Sequence, residues 1–132
     1  MPAIWLALKS RADYNGDVTP ADSIHDERLV LHEIEQDRHI IRAIAAVDIY
    51  SAPEFAAEVA TAAQASTIVV DLSSCRYMDS RGVEVLLRAR MTYGERFRVV
   101  TRPQSGVDRL LRVLQFDRHV PMFSSLNEAR SR

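Results

Sequence analysis

The stretch TIVVDLSSCRYMDSRGVEVLL, residues 67–87, places a strand pattern, a short polar loop and a helix pattern in direct succession. Its first six residues are β-branched and almost wholly apolar, which is typical of a central strand that is covered on both faces. The helix pattern of residues 80–93 ends at Gly94, a common C-terminal cap, and predicts these inward side chains: Val83, Leu86, Leu87 and Met91. A buried strand followed so closely by a helix predicts an α/β domain.

Strand and helix patterns alternate along the rest of the chain from residue 29. Two strand patterns, 29–34 and 39–47, are joined by a tight turn at Asp37-Arg38, so we expect an antiparallel pair. Further patterns predict helices from residue 51, over 105–114 and near 125–128, and strands at 96–101 and 119–123. The order β-β-α-β-α-β-α-β-α predicts a mixed sheet whose later strands are parallel.

Two of these helices have recognisable signals. At the first, Ser51 and Glu54 have the spacing of a capping box, and Tyr50 and Phe55 have the spacing of a hydrophobic staple. The helix over 105–114 is expected to bury one face: Val107, Leu110, Leu111 and Leu114.

Residues 1–28 differ from the rest because they are polar and carry turn signals at Asn15-Gly16 and Thr19-Pro20. We predict a loosely ordered N-terminal extension over 1–28 and a single domain over 29–132, with an ordered strand or a dimer contact as the alternatives for the extension. The sequence leaves the oligomeric state open, a homodimer included.

Composition excludes several classes of function. The net charge of -1 gives no support to nucleic-acid or membrane-surface binding. Lys9 is the only lysine, so a P-loop lysine or a Schiff-base lysine is absent beyond it. No apolar run is long enough to span a bilayer, the N-terminal residues lack the features of a secretory signal, and the lone Cys75 fits a reducing compartment. We expect a cytoplasmic protein.

Catalytic and metal sites are weakly supported. Asp71 ends a strand as a receiver-domain phosphoacceptor does, but the acidic pair and the lysine of that site are missing. The four histidines, His25, His32, His39 and His119, lack metal-ligand spacing and are interpreted as surface or strand residues. Glu33, Glu35 and Glu54 are interpreted as solvated charges, and no serine has nucleophile-elbow glycines. We predict a protein that is not an enzyme and uses no cofactor or metal.

The loop sequence MDSRG, residues 78–82, is the remaining candidate site. Asp79 or Ser80 is expected to cap the helix that follows, a contribution of about 1 kcal/mol. A phosphate on Ser80 would be tolerated at a helix N-terminus and would add roughly -1.5 to -2 of charge to the surface. Asp48 and Asp79 would make that surface strongly acidic, so that a partner fitted to the unmodified serine would be repelled.

Residues 67–87 resemble the STAS domain family, and within it the anti-sigma-factor antagonists of bacteria. That family shows an apolar strand ending in Asp-Leu, a loop, an aromatic or apolar pair, then Asp-Ser-(Ser/Thr)-Gly and an apolar helix. The matching residues are Asp71, Leu72, Tyr77, Met78, Asp79, Ser80 and Gly82. AAVDIYSAPEF (45–55) is similar to the segment before the family's first helix, and residues 105–129 are similar to its C-terminal part, so the resemblance covers 29–129.

The resemblance implies a mixed sheet of four to five strands with helices packed on one side. It also implies a partner-switching protein that binds an anti-sigma factor, itself a histidine-kinase-like serine kinase, and so releases a sigma factor. The kinase phosphorylates the serine, here Ser80, and a serine phosphatase reverses the reaction. The partner-binding surface would include Asp48, Asp79, Arg81 and Gly82.

Three residues depart from the family pattern. Arg81 replaces the usual Ser or Thr and could pair with a phosphate on Ser80; Ala45 replaces a Gly, and Glu84 replaces a small residue. Arg81 and the extension favour an alternative, in which the domain is an accessory subunit of a transport or other multiprotein system and is not phosphorylated.

Overall fold

The computed structural model describes residues 29–131. The strands are β1 (Val30–Glu35), β2 (Arg38–Ala43), β3 (Thr67–Asp71), β4 (Phe97–Val100) and β5 (Met122–Phe123). The helices are α1 (Ala52–Ala60), α2 (Ser80–Tyr93), α3 (Gly106–Val113) and α4 (Leu126–Ser131). Short 3-10 turns at Gly94–Arg96 and Phe116–Arg118 follow α2 and α3. The extension predicted over 1–28 lies outside the described residues.

The five strands form one mixed sheet in the order β1-β2-β3-β4-β5. The β1–β2 pair is antiparallel and every later pair is parallel, as the sequence predicts. The hairpin turn lies at Gln36-Asp37, one residue earlier than predicted, and Gln36 adopts a left-handed φ of 56°. The predicted order of strands and helices is confirmed.

Apolar side chains of the central strands alternate between two cores. Ile41, Val70 and Val99 join the main core with α1, α2 and α3, whose buried residues include Phe55, Leu86 and Leu111. The adjacent strand residues Ile40, Val69 and Val100 point to the opposite face, where they pack with Ala129 of α4. The mixed sheet is therefore confirmed. Among residues 29–131, the three longer helices lie on one side of it and the six-residue α4 lies on the other.

Three side chains predicted to point inward are exposed. Leu87 and Met91 lie on the outer side of α2, and Met91 is 84% exposed. At 3.6 residues per turn, Met91 is displaced about 140° around the helix from Leu86, the centre of its buried face. Leu114 follows the last residue of α3 and is also exposed. Within residues 29–131, none of the helices has the length and apolar character needed to cross a membrane.

Candidate functional site

The N-terminus of α2 is capped by Asp79. Its backbone is extended (φ -104°, ψ -172°), and its Oδ1 accepts hydrogen bonds from the amides of Arg81 at 2.9 Å and Gly82 at 3.3 Å. The choice between Asp79 and Ser80 as the cap is therefore settled in favour of Asp79.

Ser80 is the first residue of α2 and is exposed. Its hydroxyl forms no hydrogen bond with any residue of the range 29–131. Because Asp79 already satisfies the first helix amides, the hydroxyl of Ser80 has no capping task. The side chain is thus free to react with, or to contact, another molecule.

A second loop, residues 47–51, lies beside Ser80 and is tied to it by Asp79. Val47 and Met78 form a parallel bridge; the amide of Val47 donates to the carbonyl of Tyr77 at 2.9 Å, and the amide of Asp79 donates to the carbonyl of Val47 at 3.1 Å. The second carboxylate oxygen of Asp79, Oδ2, accepts from the amide of Ile49 at 3.1 Å. One side chain therefore caps α2 and fixes the neighbouring loop.

Asp48 organises the loop before α1. Its Oδ1 accepts from the amide of Tyr50 at 2.9 Å, the amide of Ser51 at 3.0 Å and the hydroxyl of Ser51 at 3.2 Å. These hydrogen bonds, the one from the Ser51 amide foremost, hold the pKa of the Asp48 carboxyl below its usual value against the opposing effect of burial. Asp48 therefore adds a fixed negative charge to this surface.

The predicted capping box and hydrophobic staple of α1 are wrong. The hydroxyl of Ser51 makes no cap hydrogen bond and donates instead to the carbonyl of Ala46 at 2.9 Å, because Asp48 occupies the turn. Tyr50 is 90% exposed and cannot pack on Phe55, which is fully buried.

Gly82 lies in close contact with the second loop. A Cβ atom on Gly82 would approach Met78 Cγ to 2.6 Å and Val47 Cγ1 to 3.0 Å, distances that real Cβ atoms avoid. The glycine of the loop motif is thus needed for packing, since it allows α2 to begin directly against Val47 and Met78.

Three exposed apolar side chains surround this site. Ile49 is 53% exposed, Tyr77 is 56% exposed, and Tyr50 extends almost completely into solvent. We call these three residues the apolar rim. None of the three was predicted as a site residue, because Tyr50 was assigned to a hydrophobic staple and Tyr77 only to the loop motif. Aromatic residues on loops next to a polar motif are the signal that could have identified them.

Arg81 is exposed beside Ser80 and forms no ion pair with any residue from 29 to 131. Its backbone amide is held by Asp79, so only the guanidinium is available. Glu84, one turn further along α2, is paired with Arg88 at 3.1 Å, and both are exposed. The site thus combines an unbound hydroxyl, fixed carboxylates, one unpaired guanidinium and the apolar rim.

The acidic residues that we did not assign to a catalytic site form hydrogen bonds and ion pairs within the fold. Asp71 is buried and accepts from the amide and hydroxyl of Ser73. Glu33 pairs with Arg42 and Glu35 with Arg130, so these glutamates are more firmly held than the solvated charges that we predicted.

The three described histidines, His32, His39 and His119, belong to no group that could hold a metal ion. His32 is a buried strand residue that contacts Glu58 and His39, and His119 is exposed. Over residues 29–131, no group of three or more His, Cys, Asp and Glu side chains is arranged to hold a metal ion. His25 lies outside the described residues.

Replacing Asp79 by Ala is expected to lower the free energy of unfolding by about 1–2 kcal/mol, because α2 loses its cap. Asp79→Asn keeps the oxygen that caps α2 but places an NH2 donor opposite the amide of Ile49, so it should cost less than alanine but more than nothing. Urea unfolding of the three proteins measures the difference. Equal losses for both substitutions would contradict the role of the carboxylate oxygens as hydrogen-bond acceptors.

Comparisons with known proteins agree with this geometry. The family model described as STAS domain matches residues 30–129. An anti-sigma factor antagonist from Mycobacterium paratuberculosis is similar at 22% identity and TM-score 0.71, over 77% of this chain and 90% of that one. An anti-sigma-factor antagonist (STAS) domain protein from Planctomyces limnophilus is similar at 19% identity and TM-score 0.64, over 76% of this chain and 92% of that one.

A third similar structure is the Bacillus cell fate determinant SpoIIAA in its phosphorylated form, at 18% identity and TM-score 0.59, over 78% of this chain and 99% of that one. A comparison with curated protein sequences found no match. At these identities the structures show a shared fold, while the family model covers most of the sequence. The chain belongs to the STAS domain family.

Proposed function

We propose that this protein is an anti-sigma-factor antagonist that is switched by phosphorylation of Ser80. In its unmodified form, it binds an anti-sigma factor through the surface formed by Asp48, Asp79, Arg81, Gly82 and the apolar rim. The anti-sigma factor is a histidine-kinase-like serine kinase that transfers phosphate to Ser80 and then dissociates. A serine phosphatase restores the unmodified form. The protein acts in the cytoplasm as a binding module and not as an enzyme.

The observation that carries the proposal is the state of Ser80. The hydroxyl is exposed and unbound at a helix N-terminus whose cap is supplied by the neighbouring residue. A phosphate there changes the charge of the surface by roughly -1.5 to -2 without breaking a hydrogen bond of the fold. The similar Bacillus protein SpoIIAA has been solved in a phosphorylated form, which supports a phosphoserine switch on this fold.

The apolar rim supplies the surface that a partner would bury. Aromatic side chains that are exposed in the free protein are typical anchors of protein–protein interfaces. Ile49 and Tyr77 belong to the two loops that Asp79 holds together, so a partner that contacts them lies directly beside Ser80. Binding and phosphorylation would then involve one continuous surface.

The test is incubation of the protein with ATP and the histidine-kinase-like anti-sigma factors encoded in the same genome. Intact-mass measurement is expected to show the addition of one phosphate, and Ser80→Ala should abolish it. Ser74→Ala is the control, because Ser74 is also exposed and belongs to the same chain segment between β3 and α2. Failure of every such kinase to add phosphate would favour the accessory-subunit alternative.

A further inference from the structure

Three titratable side chains form a chain of hydrogen bonds that links β1, β2 and α1. Nδ1 of His32 lies 2.7 Å from Oε1 of Glu58, and Nε2 of His32 lies 2.9 Å from Nδ1 of His39. His32 is fully buried, Glu58 is buried and His39 is partly exposed. The imidazole rings meet edge to face, with centroids 5.0 Å apart. These hydrogen bonds therefore lead from the core to the surface.

The chemistry of the groups restricts where protons can lie. A carboxylate only accepts, so His32 donates its Nδ1 proton to Glu58. The Nε2 atom of His32 then has two alternatives. It accepts from Nδ1 of His39 when His32 is neutral, or it donates to Nδ1 of His39 when His32 is an imidazolium. Both arrangements fit the same positions of the heavy atoms, so a proton can move between the rings without a change of fold.

We propose that Glu58, His32 and His39 form a proton relay whose hydrogen bonds hold the β1–β2 hairpin against α1 and break in acid. We call the His32–Glu58 and His32–His39 hydrogen bonds together the latch. A proton from hydronium binds Nε2 of His39, and the Nδ1 proton of His39 passes to Nε2 of His32. His39 ends neutral with its proton on Nε2, and His32 ends as an imidazolium paired with the Glu58 carboxylate. One proton enters from hydronium, which is left as water: its O–H bond and the Nδ1–H bond of His39 break, and N–H bonds form at Nε2 of His39 and at Nε2 of His32. The latch is intact in both states.

A second proton breaks the latch. It would place N–H groups on both of the facing nitrogens, so that the hydrogen bond between His32 and His39 is lost and two positive rings face each other. The pKa of His39 is lowered from its ordinary value near 6.5, first by burial and then by the charge of His32, with an opposing effect of Asp37. The stabilising effect of the latch is therefore complete above about pH 6.5 and is lost as the pH falls through this lowered pKa.

The charged groups around the relay come from α1 and from the hairpin. On α1, Glu58 faces His32, and Glu54, one turn earlier, is exposed. Just after the helix, the hydroxyl of Thr61 lies 3.4 Å from Nδ1 of His32. On the hairpin, His39 contacts His32 directly. Glu35 and Arg38 pair with each other and point to the opposite face of the sheet, where they contact Arg130 of α4.

The His32–Glu58 hydrogen bond matters most for β1, which has fewer strand neighbours than the other long strands. It is at the edge of the described sheet and pairs only with β2, whereas β2, β3 and β4 each have two neighbours. The His32–Glu58 hydrogen bond is its buried polar link to the helix layer. Loss of the latch should therefore loosen β1 locally while the central strands stay closed.

Amide hydrogen exchange of the whole protein at about pH 7.5 and pH 5.0 tests the proposal. After correction for intrinsic rates, the β1 amides are expected to lose about tenfold in protection at the lower pH relative to the β3 amides. In the His39→Gln variant, the glutamine amide can still donate to His32 but cannot titrate, so the pH dependence of β1 protection should disappear. His119→Gln is the control: it removes an exposed histidine elsewhere and should leave the pH dependence of β1 protection unchanged.

Nitrogen NMR of the imidazole rings in the unmutated protein gives a second test that requires no variant. The signal of Nδ1 of His32 should show its hydrogen bond to Glu58 at pH 7.5, and the titration of His39 should coincide with the loss of β1 protection. A titration of His39 that leaves β1 protection unchanged, or an unchanged loss of β1 protection in His39→Gln, would overturn the proposal. Its failure would leave the function proposed for Ser80 untouched, because the readouts involve neither a partner nor phosphate.

Discussion

Ser80→Glu is expected to weaken the complex with the anti-sigma factor about hundredfold, which corresponds to roughly 2.7 kcal/mol. The added carboxylate would stand next to Asp79, near the fixed negative charge of Asp48, and would lose water on docking with only the guanidinium of Arg81 to offset its charge. Ser80→Ala removes only a hydroxyl that has no partner in the described structure, so its affinity should stay within about threefold. Isothermal titration calorimetry measures both.

The matched control adds the same charge at Gln64. This exposed residue precedes β3, whereas Ser80 follows it, so the two positions lie at opposite ends of the strand. Gln64→Glu should leave the affinity within about threefold. If Gln64→Glu weakened binding as much as Ser80→Glu, the effect would reflect overall charge and not the surface at Ser80.

Gly82→Ala is expected to lower the free energy of unfolding by about 1–3 kcal/mol, the usual cost of forcing extra volume into a packed site. The new methyl group would come within 2.6 Å of Cγ of Met78, a buried side chain, so the packing around it must shift. Because Met78 and Val47 form the bridge between the two loops, the same change should also disturb the surface around Ser80.

Gly106→Ala is the matched control for Gly82→Ala. Gly106 is also in the first turn of a helix, but nothing lies within 4 Å of the Cβ that an alanine would add there. Alanine is the better helix former, so the stability of this variant should be unchanged or higher by up to about 1 kcal/mol. Urea unfolding at one pH compares the two variants. Equal losses would show that close packing is not the reason for glycine at position 82.

Local signals predicted most of the fold. The bounds of α2 match the predicted range 80–93, because the Asp79 cap, the apolar period and the Gly94 cap are local signals at the ends and along the length of the helix. The β1–β2 hairpin was predictable because a two-residue connection permits only an antiparallel pair. Which side of α2 is exposed was not predictable. Leu87 and Met91 are as apolar as the inner residues of the helix, and only the position of the sheet decides which side is buried.

The candidate site was predicted in part. A sequence motif located Ser80, Asp79 and Gly82, but it did not show that Asp79 would bind a second loop through Ile49. The relay was not predicted at all. His32 and Glu58 are 26 residues apart and meet only after α1 has packed on the sheet, so no local pattern brings them together.

The central claim is that a phosphate on Ser80 decides whether the partner can dock. The direct measurement is the dissociation constant of the anti-sigma factor for two samples of the same preparation, one unmodified and one phosphorylated on Ser80 by the kinase and freed of it. We predict that the phosphorylated sample binds at least about a hundredfold more weakly, with partial relief through the guanidinium of Arg81. Equal dissociation constants for the two samples would contradict the account.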